Sequence, residues 1–82
     1  MKMYTFLIMP EERNRPDFQK FLIFVKQKDA VYWIGKQSSA MIIKVFAKDT
    51  ENIEFPCGFQ PQNEYQITQS QKEQFIKQNY RF

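Results

Sequence analysis

Residues 40–48, AMIIKVFAK, place Met41, Ile43, Val45 and Ala47 on one side and Ile42, Lys44, Phe46 and Lys48 on the other. A period of two predicts a strand, with Met41, Ile43 and Val45 buried and Lys44 and Lys48 exposed. KMYTFLIM, residues 2–9, repeats the signal: Tyr4, Phe6 and Ile8 oppose Met3, Thr5, Leu7 and Met9, and Pro10 closes the run. Both sides are apolar, which predicts a strand buried on two faces. VYWIGKQ, residues 31–37, is a third strand, with Val31 and Trp33 opposite Tyr32, Ile34 and Lys36.

Residues 16–26 read two ways. Phe18, Phe21, Leu22 and Val25 recur at helical spacing behind Asp17, a residue able to cap a helix. Read as a strand, the same stretch sets Phe21, Ile23 and Val25 against Lys20, Leu22, Phe24 and Lys26. Composition favours the strand, because Phe, Ile and Val prefer extended backbone and the following QKDA can turn the chain into VYWIG. The segment stays ambiguous between strand and helix.

The remaining segments are shorter. PEERNRPD, residues 10–17, carries two prolines and five charges and is expected to be an exposed loop. Gly35 to Ser39 and KDTEN are turns. NIEFPCGF is expected to be a short strand broken by Pro56 that lies at an edge or bends, and EYQIT a last short strand. Ser70 and Glu73 have the spacing of a capping box, which predicts a helix over about 71–80 with Phe75, Ile76 and Tyr80 on its apolar stripe. The expected fold is α+β: a small antiparallel sheet of four to six strands with a C-terminal helix.

Length changes how that sheet must be stabilised. Eighty-two residues make one domain, 1–82. A chain this size buries only about 60–65% of the surface its unfolded form exposes, so its core is thin. Cys57 is the single cysteine and there is no histidine, so an intrachain disulfide and a histidine-based metal site are both excluded. Dense aromatic packing or association must compensate, and 17% Phe, Trp and Tyr suits either. Association with a protein partner or a second copy is therefore expected. Pro10 and the charges behind it end the first apolar run too early for a leader, and no stretch reaches the length of a membrane span. A lone cysteine fits a reducing compartment, and a cytoplasmic location is expected.

Charge is uneven. Residues 1–48 hold nine Lys and Arg against four Asp and Glu, and residues 49–82 hold three against five, so +5 and −2 make the net +3. On the strand reading of residues 20–26, three strands carry a mixed cationic and aromatic face: Lys20, Phe24, Lys26, Tyr32, Lys36, Lys44, Phe46 and Lys48. If those strands are neighbours, rings flanked by ammonium groups form a patch of the kind that stacks bases and meets phosphates. The plain alternative is a solvated sheet face whose lysine stems cover rings. Tyr80, Arg81 and Phe82 offer a second candidate, an aromatic and cationic docking tail; alternatively the two rings fold back on the sheet.

Catalysis is not expected. Cys57 lacks the histidine that usually activates a thiol. Glu11 and Glu12 lie in a polar run with nothing to separate their pKa values. Two glycines, Gly35 and Gly58, cannot build a phosphate-cradling loop, and Ser38–Ser39 near a lysine has no catalytic spacing. No cofactor or metal is expected. Two function classes remain. One is a small regulator or inhibitor that binds a partner protein, such as one that itself handles nucleic acid, and acts by occlusion. The alternative is a binder of single-stranded RNA or DNA through the Lys and aromatic face.

Overall fold

The computed structural model describes residues 1–37 and 39–82; Ser38, part of the expected turn and of the serine–lysine candidate, lies outside the described residues. The chain folds as β1 (Lys2–Ile8), α1 (Pro10–Arg13), α2 (Pro16–Lys26), β2 (Asp29–Ile34), β3 (Met41–Ala47), β4 (Asn63–Gln66), α3 (Gln69–Gln78) and β5 (Tyr80–Arg81). The strands form one antiparallel sheet in the order β4-β1-β3-β2-β5. This is the small α+β fold with a C-terminal helix that the pattern predicts.

Residues 16–26 are helical, which settles the ambiguous segment against the favoured strand. Pro16 occupies the first turn, where its fixed φ suits a helix and its missing N–H costs nothing. Asp17 near the start and Lys26 near the end complement the helix dipole. Phe18, Phe21 and Val25 are buried on one stripe, whereas Ile23, which the strand reading placed beside Phe21 and Val25, is 59% exposed. A helix short on intrinsic propensity is held by the packing of such a stripe.

That stripe covers the first face of the sheet: Tyr4, Phe6 and Ile8 of β1, Met41, Ile43 and Val45 of β3, and Ala30 of β2. Phe21, Ile43 and Val45 have no exposed surface. The segment 52–59, expected as a short strand, forms none. It lies as irregular backbone, and Ile53, Phe55 and Phe59 pack into the same core. Phe59 stacks on Phe21 with centroids 4.4 Å apart, and Phe55 meets Phe6 edge-on at 4.7 Å. The physical reason is a tight turn: Phe59 N–H donates to the Pro56 carbonyl at 3.3 Å, and Cys57 and Gly58 both take positive φ, 62° and 76°. Such a turn suits glycine and strains cysteine.

Two further expectations shift. PEER of the expected loop forms the one-turn α1, with the Glu12 carboxylate accepting from Met9 N–H at 3.4 Å. Arg13 then donates to the Ser39 carbonyl at 2.5 Å and ties α1 to the β2–β3 connection. The C-terminal helix starts earlier than the Ser70–Glu73 pair implied. Thr68 is the cap: its Oγ1 accepts from Gln71 N–H at 3.2 Å, and Gln71 Oε1 accepts from Thr68 N–H at 2.8 Å. Glutamine at the third position closes the same reciprocal box as glutamate. Among the described residues, no helix is long and apolar enough to cross a membrane.

Candidate functional site

The second face of the sheet carries Met3, Thr5 and Leu7 of β1, Val31 and Trp33 of β2, and Ile42, Lys44 and Phe46 of β3. α3 covers one end of it. Phe75 and Ile76 pack on Met3, Val31, Phe46 and Ile67, which are buried. Asp29 at the start of β2 fastens that arrangement. It pairs with Lys72 of α3 and, at 2.5 Å, with Arg81 of β5. Burial pulls the Asp29 carboxyl upward, but hydrogen bonds and charge from Lys72 and Arg81 outweigh it and hold its pKa below the ordinary value. The end of α3 is held by Asn79, whose side-chain amide donates to the Phe75 carbonyl at 2.7 Å.

The other end of this face is bare. Leu7, Ile42 and Trp33 stand opposite one another in register across three strands. Leu7 and Trp33 are each 42% exposed, and Tyr65 of β4, opposite Met3 on the same face, is 48% exposed. A groove of about 610 Å³ runs between α3 and the bare end, lined by Leu7, Ile42, Tyr65, Phe75, Thr5 and Gln71 among others. A hollow of about 230 Å³ continues past Phe75 to Trp33, Gln78 and Asn79. Lys44 lines both. Its ammonium lies 5.3 Å from the Phe75 ring centroid and makes no ion pair among the described residues. Burial lowers the Lys44 pKa, because the charged form loses water there without gaining an anion.

The eight residues of the expected cationic and aromatic face do not come together. Lys20, Phe24 and Lys26 ride on α2, which covers the first face. Phe24 packs against the core there, with Lys28 over its ring at 5.1 Å. The β2–β3 register pairs Tyr32 with Ile43 and Trp33 with Ile42, so Tyr32 faces the α2 side while Lys44 and Phe46 face the α3 side. A meander that aligned all the even-numbered residues would need a register one residue away. Lys36 lies in the β2–β3 connection and Lys48 just after β3, both exposed. Phe46 is buried under α3, with Lys72 over its ring at 5.4 Å.

The tail forms a short edge strand. Arg81 pairs with Val31 and Tyr80 with Tyr32, and the Phe82 ring lies 4.8 Å from that of Tyr32 against the first-face core. Tyr80 keeps 67% of its surface exposed. Sequence reasoning missed Leu7, Thr5, Tyr65 and Phe75 as neighbours of Lys44. The available signal was that both sides of β1 are apolar: a two-faced strand needs two covers, and α3 spans only part of the second. The groove arises outside the core, between helix and sheet. No protein-family model, curated protein or solved structure matches the chain.

Proposed function

We propose that this domain is a non-catalytic protein-binding module, a regulator or inhibitor that docks a partner through the bare end of the second sheet face and acts by occlusion. One observation carries the reading: Leu7, Ile42 and Trp33 form a contiguous apolar row, half-buried at Ile42 and 42% exposed at Leu7 and Trp33, while Phe21, Ile43 and Val45 one layer away are fully covered. Water-exposed apolar rows rimmed by polar residues mark interaction surfaces, and here the rim is the amides of Gln62, Gln66, Gln71 and Gln78. Trp and Tyr at such a site are the side chains that most often anchor interfaces.

The same face presents rings and one cation, so single-stranded nucleic acid is the competing ligand. Phosphate tracking needs several cations along a groove, and among the described residues Lys44 is the one cation lining this groove while Lys20 and Lys26 sit on the opposite layer. The test is recovery of partners from the lysate of the protein's own host, with and without nuclease, by the wild type and by the double variant Leu7→Ser, Trp33→Ser. A protein partner that survives nuclease and is lost with the double variant, at unchanged circular dichroism, is the expected result. Recovery of nucleic acid alone, or a partner held equally by the variant, overturns the reading.

A further inference from the structure

The bare row differs from a sheet edge in what it can bind. A sheet face points side chains outward and keeps its N–H and C=O groups within the sheet plane, so an extended segment lying on it leaves its own backbone unpaired. A helix satisfies its backbone internally and needs only an apolar stripe opposite. The space fits one. Phe46 under α3 and Ile42 in the bare row are four residues apart on β3, about 13 Å along the strand. Packed helices lie about 8–10 Å apart. A second helix packed beside α3 would cover the strands from Lys44 toward the Leu7–Ile42–Trp33 row, with Phe75 of α3, which lines the groove beside Ile42 and Lys44, as its lateral contact.

Charge selects among helices. Lys44 sits at the junction of groove and hollow, half-buried, opposite Thr5 on β1, with amide side chains such as Gln71 and Gln78 as further polar lining and no carboxylate paired to it among the described residues. Closing an apolar helix over it would strip its remaining water, and a carboxylate on that helix is the partner that offsets the loss most strongly. Resting on the docking reading above, we infer that the occupant is an amphipathic helix whose apolar stripe carries one Asp or Glu set to pair with Lys44. Burial already lowers the Lys44 pKa, consistent with a cation short of a counter-charge. The desolvated pair then acts as a filter, rejecting helices with a neutral or cationic residue at that position.

The test presents the full chain to three probes: a display library of rigid helical hairpins with one helix face randomised, a library of unstructured linear peptides, and a labelled oligothymidine. The expected winners are helices with apolar residues at i and i+3 or i+4 and an acidic residue beside them. Their affinity should fall about tenfold on Lys44→Gln, the weight of a charged hydrogen bond at a half-exposed site. Selection against Lys44→Glu should return Lys or Arg at the same position. Helices with no acidic preference, or linear peptides that win and are lost on Leu7→Ser, overturn this inference and leave the docking reading standing. Binding at this face by no probe, or by oligothymidine alone, overturns both.

Discussion

The two faces of one sheet have different fates although both are apolar. The first is sealed by α2 and by the aromatic loop 52–59, and its central residues have no contact with water. The second receives a ten-residue helix that carries two apolar contact residues, Phe75 and Ile76, and stops short of Leu7, Ile42 and Trp33. The difference shows how a small domain divides its apolar surface. One side is closed throughout; the other is closed at Met3, Val31 and Phe46 and leaves Leu7 and Trp33 exposed. Variants that act on one face and spare the other can break or sharpen this comparison.

The largest effect is expected on the sealed side. Phe21 touches Phe6, Phe18, Phe55 and Phe59. Phe21→Ala should cost about 3–5 kcal/mol by leaving a cavity among those rings. A domain of this size has roughly 4–12 kcal/mol in total, so urea denaturation should find the variant unfolded or nearly so. A loss below about 1 kcal/mol would contradict the assignment of this face as the stabilising one.

The second face should behave as two halves. Val31, fully covered by α3, should lose about 2 kcal/mol on Val31→Ala. Leu7→Thr at the bare end should cost under about 1 kcal/mol and should remove partner binding. Equal losses at the two positions, read from urea midpoints at constant slope, would erase the boundary drawn across this face.

The fastening of α3 has a pH signature. The Asp29 pKa is lowered in the folded state, so its contribution is fully present above the unfolded carboxyl value of about 4 and fades as pH falls through the lower folded value. The site is over a third exposed, so solvent screening limits the two pairs to roughly 1 kcal/mol together. Asp29→Asn should lower stability by that amount at neutral pH and lose less than the wild type below about pH 4. A variant with the wild-type acid slope would show that Lys72 and Arg81 do not hold Asp29 as drawn.

The smallest effect carries the opposite sign. Lys44 has a lowered pKa, so the wild type gains stability as pH rises through the folded pKa toward the unfolded value. Lys44→Met removes the desolvation cost at neutral pH and should stabilise the domain by roughly 0.5 kcal/mol, after allowance for screening. The same change should weaken partner binding. Such a trade-off, measured by thermal unfolding beside a binding assay, is the signature of a residue kept for recognition rather than folding.

The local pattern determined the strands that matter most. Strict alternation in residues 40–48 and the two apolar sides of residues 2–9 fix β3 and β1, because a period of two follows from strand geometry alone. The Ser70–Glu73 spacing and the Phe75–Ile76 pair likewise announce α3 to within two or three residues. Other features needed the third dimension. Phe18, Phe21 and Val25 fit a helix as well as Phe21, Ile23 and Val25 fit a strand, and the choice fell to which arrangement could cover Phe6 and Ile43. Segment 52–59 has strand composition, but its rings serve the core better than its backbone could serve an edge. Above all, the Lys and aromatic residues were legible one strand at a time, while their grouping depended on the pairing of Tyr32 with Ile43. Alternation tells which residues of a strand share a side; only the register between strands, set by the connection from Gly35 to Ala40 and by packing on both layers, decides which sides become one face.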